Sequence, residues 1–134
     1  MINFNGTIQE ETNVISSNNR GYAYGDALFE TIKVSHGKLL FWEDHYFRLM
    51  ASMRIMRMDI PMEFTMEFLE SEIRKLLSTS DLLKASVRVK LMVHRNAGGL
   101  YLPLDNAVSF IISTKLLKND FYLLNEDHYE IDLY

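Results

Sequence analysis

The chain has 134 residues, of which 48% are hydrophobic and 24% are charged, as is usual for one soluble globular domain. Its formal net charge of −4 provides no basic field for nucleic acid, and the absence of cysteine excludes a disulfide scaffold and thiolate chemistry. The amino terminus lacks a signal-peptide pattern, and no apolar run approaches the ~20 residues of a membrane span. We therefore expect a cytoplasmic protein that binds neither nucleic acid nor membrane.

The chain begins with a predicted β-hairpin. Residues 2–4 and 7–9 have short β-prone patterns, and Asn5-Gly6 between them tolerates the positive φ angles of a tight turn. Residues 16–26 are polar and contain two glycines, so we predict a loop there.

A second hairpin is predicted to follow the loop. Residues 28–34 are rich in β-branched and apolar side chains, and residues 38–41 can pair with them across His36-Gly37. Because side chains alternate along a strand, Phe29 and Glu30 are expected on opposite faces of the sheet.

Two helices are predicted in the middle of the chain. Apolar residues recur at helical spacing over residues 42–57, with Glu43 and Asp44 in the first turn, where carboxylates favour the positive end of the helix dipole. Pro61 interrupts the pattern. An apolar stripe over residues 63–77 predicts the second helix.

Strands are predicted again towards the carboxyl end. Residues 86–94 alternate between apolar and mostly polar side chains, the pattern of a half-buried strand. The glycine-rich residues 96–99 predict a turn, and residues 107–114 are strongly β-prone. The order of elements predicts an α+β fold, an antiparallel sheet with two helices packed on it.

The last residues differ from the rest in composition. Residues 120–134 are acidic and aromatic and end without a terminating pattern. We therefore predict a small amino-terminal domain over residues 1–120 and an interdomain segment over residues 121–134, leading to a second domain.

Arg48 is the first candidate binding residue. It lies on the second turn of the first long helix, where its guanidinium offers a two-pronged donor to a phosphate. The alternative is a surface arginine paired with Asp44 at i,i−4, an interaction that contributes a few tenths of a kcal/mol.

An ordered set of short motifs resembles the class IV aminotransferase family, the fold-type IV enzymes that use pyridoxal phosphate. The family includes branched-chain aminotransferases, D-amino-acid aminotransferases and aminodeoxychorismate lyase. Each motif alone is weak, but their order and spacing are specific. The matching residues are Arg20-Gly21, Tyr24-Gly25-Asp26, Leu28-Phe29-Glu30-Thr31, Gly37, His45, Arg48-Leu49, Val93-His94-Arg95 and Gly98-Gly99.

The resemblance implies roles for individual residues. Arg48 falls on the family's phosphate-binding arginine, and Phe29 on the strand that lines its substrate pocket. Arg95 falls where the D-amino-acid branch holds the substrate carboxylate; the alternative is a solvated hairpin arginine. Lys90 is expected to add positive potential for an acidic group of the substrate. Glu30 would support the site from behind.

The resemblance also implies what the chain does not supply. Pyridoxal phosphate chemistry needs a lysine that forms a Schiff base, and in this family it belongs to the second domain. Lys115 and Lys118 follow the last predicted strand in a polar segment, so neither is assigned this role. No catalytic residue is therefore assigned, and the chain alone is expected to be inactive.

Three functions follow from these features. The first is the amino-terminal part of an aminotransferase that acts on an amino acid and a 2-keto acid, as a homodimer like many members of the family. The second is an aminodeoxychorismate lyase that releases pyruvate. The third is a non-catalytic domain that self-associates through methionine-rich helices and an aromatic tail. The four histidines lack metal-like spacing, so no metal site is predicted.

Overall fold

A computed structural model describes residues 1–12, 15–120, 122 and 130–131 of the chain. Six strands form one antiparallel sheet: β1 Ile2–Phe4, β2 Thr7–Gln9, β3 Ala27–Ser35, β4 Lys38–Leu39, β5 Val87–Arg95 and β6 Val108–Leu116. Their order across the sheet is β2-β1-β6-β5-β3-β4. The long strands β3, β5 and β6 therefore lie side by side at its centre.

Three helices complete the fold: α1 Arg20–Tyr24, α2 Trp42–Ile55 and α3 Met66–Thr79. Buried apolar side chains of α2 and α3, such as Leu49 and Ile73, form one core cluster with the inward side chains of β3, β5 and β6. The other face of the sheet is called the open face here. The predicted α+β fold with an antiparallel sheet is confirmed.

The alternation predicted for β5 is confirmed by burial. Its odd-numbered residues Val87 to Val93 are fully buried in the core, whereas Arg88 is exposed and Lys90 is half-buried on the open face. Both predicted hairpin turns also form, with positive φ at Asn5-Gly6 and at His36-Gly37.

The prediction of a loop over residues 16–26 is wrong in part, because α1 forms within it. The Asn19 side chain caps this short helix by accepting a hydrogen bond from the backbone N–H of Tyr22. Gly25 ends the helix in the left-handed region, with φ of 71°. The described residues thus form three helices rather than the two expected.

Two further boundaries differ from the prediction. The α3 helix begins at Met66 rather than at Glu63, because Thr65 is its cap and accepts a hydrogen bond from the backbone N–H of Phe68. The β4 strand ends at Leu39 rather than at Phe41, because Phe41 adopts a left-handed conformation, with φ of 55°, where α2 begins.

Most of the predicted interdomain segment, residues 121–134, lies outside the described residues, so the domain boundary stays a prediction. Within the described ranges, every helix is too short or too polar to cross a bilayer.

Candidate functional site

Arg48 forms a charged cluster with Glu30 and His45. The α2 helix presents His45 and Arg48 three residues apart, on one face, and β3 supplies Glu30 opposite them. Arg48 Nε donates to Glu30 Oε1 at 2.8 Å, and Arg48 Nη2 donates to Glu30 Oε2 at 2.5 Å. This two-pronged pairing fixes the plane of the guanidinium.

His45 completes the cluster from the preceding turn of α2. Its Nδ1 lies 2.7 Å from Glu30 Oε2. The same Nδ1 lies 2.9 Å from Arg48 Nη2, so this ring nitrogen contacts both members of the ion pair. With a proton, Nδ1 donates to the carboxylate; with a lone pair, it accepts from the guanidinium.

The cluster combines a buried carboxylate with an exposed guanidinium. Glu30 is 6% exposed, whereas the Arg48 side chain is 59% exposed. Burial of Glu30 favours its neutral form, but hydrogen bonds from Arg48 and His45 outweigh burial, so the pKa of Glu30 is lowered from its ordinary value of 4.5. The same pairing raises the pKa of Arg48. The cluster therefore keeps both charges near neutral pH.

Glu30, rather than Asp44, is the residue that Arg48 pairs with. No hydrogen bond joins Arg48 to Asp44, so the alternative of a simple i,i−4 surface pair is wrong. Arg48 Nη1 makes no hydrogen bond to any described residue. One arm of an exposed, oriented guanidinium is thus available to an oxyanion such as a phosphate.

The lowered pKa of Glu30 predicts a specific acid sensitivity. Because its folded-state pKa lies below its unfolded value, the stabilisation is present above about pH 4.5 and is lost as pH falls through the folded-state pKa. Urea unfolding between pH 7 and pH 3 should show the wild type losing more stability on acidification than Glu30→Gln, which cannot titrate there. Parallel pH dependences of the two proteins would contradict this assignment.

Phe29 and Lys90 lie together on the open face. Phe29 is 58% exposed, and the Lys90 Nζ sits 4.6 Å from the centre of its ring, a cation–π contact. Thr31 pairs with Lys90 in the β3–β5 register, which places Phe29 diagonally across from Lys90. The prediction that Phe29 and Glu30 point to opposite faces is consistent with the exposure of Phe29 and the burial of Glu30.

The Arg48 cluster and the Phe29–Lys90 pair are neighbours through β3 but do not touch. Across the described strands, β4 pairs only with Val34 and Ser35, so Glu30 lies where β3 forms the sheet edge. The cluster lies on the helix side of this edge and the pair on the open side.

Arg95 occupies a different environment from the one expected. It is 4% exposed, so the alternative of a solvated hairpin arginine is wrong. Its Nη2 donates to Met56 O at 2.7 Å, its Nη1 donates to Asn106 Oδ1, and its Nε donates to Asp26 Oδ2 at 3.3 Å. All three guanidinium nitrogens are engaged within the protein. Contact of Arg95 with a substrate stays a prediction, and it requires some of these bonds to be exchanged.

Asp26 joins Arg95 to a second buried arginine. Arg20 is 2% exposed, and its Nε donates to the same Asp26 Oδ2 at 2.7 Å. Its two other nitrogens donate to the backbone carbonyls of Gly98, Leu100 and Tyr101. One carboxylate thus connects α1 to the glycine loop and, through Arg95, to the end of α2.

The sequence interpretation missed this network. Arg20 and Asp26 stand among the motif residues, but no role was derived for either. The available signal was the placement of Arg20 and Asp26 on either side of a short segment bounded by glycines. The second partner of Asp26 is Arg95, which lies 69 residues further along the chain. The described ranges contain no cluster of three or more His, Asp or Glu side chains that could hold a metal ion.

The geometry defines a fold known from solved enzymes. A branched-chain amino acid aminotransferase of Escherichia coli matches with a TM-score of 0.75 at 20% identity, over 87% of this chain and 39% of that one. A branched-chain amino acid aminotransferase from Thermobaculum terrenum, in its PLP-form, matches with a TM-score of 0.72 at 21% identity, over 88% and 40%. At these identities the likeness establishes the fold.

The sequence profile described as Amino-transferase class IV matches residues 27–126, so the chain belongs to that family. A D-alanine aminotransferase of Staphylococcus epidermidis is 28% identical over 83 residues, which are 62% of this chain and 29% of the relative. One from Staphylococcus aureus strain MSSA476 is 34% identical over 68 residues, covering 51% and 23%. The predicted family is confirmed. The matched part of the chain spans less than a third of these curated relatives.

Proposed function

We propose that the chain is the amino-terminal part of a pyridoxal-phosphate-dependent aminotransferase, which moves an amino group between an amino acid and a 2-keto acid. The observation that carries this proposal is the cluster at Arg48. An exposed guanidinium is held by a buried carboxylate, and one of its arms is available to an anion. The family membership and the D-alanine aminotransferase relatives support the reaction class.

Arg48 is the proposed ligand of the cofactor's phosphate. Glu30 accepts hydrogen bonds from two nitrogens of Arg48. The guanidinium is therefore oriented before the phosphate binds and loses little conformational entropy on binding. His45 fixes Glu30 in turn. When bound, pyridoxal phosphate supplies the electron sink for the substrate's α-carbon. The residues present here fit its anionic end.

Phe29 and Lys90 are the proposed substrate contacts. Phe29 offers an exposed apolar wall, and Lys90, held against its ring, offers a positive charge to a substrate carboxylate. Together they would orient the substrate beside the cofactor. For Arg95 we infer an indirect role, because its guanidinium already holds Asp26, Met56 and Asn106.

We also propose that the whole protein is a homodimer in the cytoplasm. Homodimerisation is supported by a run of exposed apolar side chains after the glycine loop: Leu100, Tyr101, Leu102 and Leu104 are each at least 74% exposed. A cysteine-free chain with a net charge of −4 suits the cytoplasm and small-molecule partners rather than nucleic acid.

The experiment is an assay of the whole protein that contains this chain. With pyridoxal phosphate present, we expect keto-acid formation from an amino donor such as D-alanine or a branched-chain amino acid, with a 2-keto acid as acceptor. The 134-residue chain alone should show no activity and no absorbance band of lysine-bound cofactor. Pyruvate release from aminodeoxychorismate without amino transfer would favour the lyase, and inactivity of the whole protein in both assays would contradict the enzyme proposal.

A further inference from the structure

His94 is a buried histidine that the proposed function does not use. It is 6% exposed and pairs with Ala27 of β3 on one side and with Ser109 of β6 on the other. The α1 helix packs directly against it, since a Cβ added at Gly21 would lie 3.3 Å from the His94 Cβ. The Nε2 of His94 is buried and makes no hydrogen bond to a described residue. Such an incompletely paired buried group requires an explanation.

The other ring nitrogen of His94 contacts Asn19, the cap of α1. Asn19 Oδ1 accepts from the backbone N–H of Tyr22, so Asn19 Nδ2 is the atom that faces His94 Nδ1, at 3.1 Å. An amide nitrogen only donates hydrogen bonds. His94 Nδ1 can therefore bond to the capping residue only when it carries a lone pair.

His94 Nδ1 also faces an acceptor. It lies 3.2 Å from the backbone oxygen of Arg95, which can accept a hydrogen bond but cannot donate one. A neutral ring can leave Nδ1 without a hydrogen and accept from Asn19. A protonated ring carries a hydrogen on both nitrogens, so its Nδ1 can donate to Arg95 but opposes the Asn19 amide. Protonation thus exchanges one hydrogen bond for the other.

The surroundings of His94 offer no carboxylate to a protonated ring. Among the described residues, His94 takes part in no salt bridge, and β6 places the uncharged Ser109 beside it. Asp26 already accepts from two arginines. A further buried positive charge there is unfavourable, so the fold favours the neutral ring. The ionisable groups of the adjoining elements are Arg20, Tyr22 and Tyr24 of α1, Asp26 before β3, and Lys90 and Arg95 of β5.

Loss of the bond between His94 and Asn19 affects α1 through its cap. The same Asn19 amide holds His94 with Nδ2 and Tyr22 with Oδ1, so turning it away from an Nδ1–H also removes the capping bond. The helix has only five residues. Helices this short are marginal, so the cap is a large part of the stability of α1.

The α1 helix in turn holds the glycine loop. Arg20, its first residue, donates to the backbone oxygens of Gly98, Leu100 and Tyr101. Tyr24, its last residue, packs against Tyr101, with the ring centroids 6.0 Å apart. Release of α1 therefore also loosens the loop.

We propose that His94 is a pH-sensitive switch: its neutral ring keeps α1 capped, and its protonation releases the helix and, with it, the glycine loop. Histidine is the side chain that ordinarily changes charge between about pH 5 and pH 8. Nδ1 has a partner in each state, Asn19 before protonation and Arg95 after it. The switch concerns the order of α1 and the loop and does not depend on the proposed transfer reaction.

The test is NMR spectroscopy of the 134-residue chain at about pH 7.5 and about pH 5.5, which span most of the range in which histidine titrates. At the higher pH, the ring-nitrogen resonances of His94 should show a hydrogen on Nε2 and none on Nδ1. Amide exchange of Tyr22, divided by its intrinsic rate at each pH, should be about fivefold faster at the lower pH, as expected for loss of one helix cap. The nuclear Overhauser effect between the rings of Tyr24 and Tyr101 should weaken in parallel.

Two substitutions separate the switch from general sensitivity to acid. His94→Gln offers an amide oxygen to Asn19 and does not titrate, so the corrected exchange of Tyr22 should be the same at both pH values. Asn19→Asp keeps a capping oxygen but accepts from a protonated ring, so acid should no longer speed the exchange. His36→Gln is the matched control, because His36 is exposed in the β3–β4 turn and its replacement should leave the response of the wild type unchanged.

The outcomes distinguish a switch from a merely structural histidine. Amide chemical shifts of the core strands verify that each variant is folded, and Asn19→Asp, which leaves His94 in place, tests the proposal even if His94→Gln does not fold. A hydrogen on His94 Nδ1 at the higher pH would overturn the switch. So would corrected exchange of Tyr22 that is independent of pH in the wild type, or an equal acid response in the wild type and Asn19→Asp.

Discussion

Replacement of Asp26 by alanine should lower the free energy of unfolding by about 3–5 kcal/mol, the usual cost of removing one partner from a buried ion pair. Arg20 and Arg95 are both nearly inaccessible and share this single carboxylate. Its removal leaves two adjacent buried cations. Since domains are typically stable by only about 5–15 kcal/mol, the loss would be a large part of the total.

The measurement is urea unfolding followed by circular dichroism, with Asp59→Ala as control because Asp59 is exposed and its side chain makes no hydrogen bond to a described residue. Asp26→Asn keeps the shape and one acceptor but not the charge, so it should fall between the wild type and Asp26→Ala. A loss below about 1 kcal/mol in Asp26→Ala, within the range of ordinary surface pairs, would show that the network is not an important source of stability.

Replacement of Arg48 by alanine should weaken pyridoxal phosphate binding to the whole protein by about tenfold to a hundredfold, as expected for loss of a charged hydrogen bond. The effect should depend on the phosphate. Pyridoxal, which lacks that group, should bind the wild type and Arg48→Ala with affinities within about twofold of each other. The two ligands therefore separate loss of a phosphate contact from general damage to the site.

Two further variants control this comparison. Arg54→Ala removes an exposed arginine of the same helix and should leave both affinities unchanged. Glu30→Gln keeps Arg48 but weakens the contacts that orient it, so its effect should be smaller than that of Arg48→Ala and again specific to the phosphate. Equal weakening of both ligands in Arg48→Ala would contradict a phosphate contact.

Local patterns were sufficient to predict most of the fold. The alternation of apolar and polar residues along β5 identified its two faces, and Asn5-Gly6 and His36-Gly37 identified two turns, because in each case the determining residues are adjacent in sequence. The α1 helix was missed because it is only five residues long, too short for a helical period to be visible. Its cap, Asn19, is recognisable only once the helix is known.

The site was predicted only in part, because local patterns identify its residues but not the contacts between distant parts of the chain. Strand alternation placed Glu30 opposite Phe29, but that Glu30 binds Arg48 depends on how α2 crosses β3, which no local pattern contains. The role of Arg95 depends on Asp26, 69 residues away, and on carbonyls at the end of α2. An arginine in a motif can hold a ligand or the protein itself, and only the folded chain distinguishes the two.

The most direct measurement is a crystal structure of the whole protein with pyridoxal phosphate bound, in which the distance from Arg48 to the phosphate oxygens is read. We predict that Arg48 Nη1 donates to a phosphate oxygen within about 3.2 Å while Nε and Nη2 remain on Glu30. A phosphate held by other residues, with Arg48 directed towards solvent, would contradict the assignment of Arg48 and with it the account of this site.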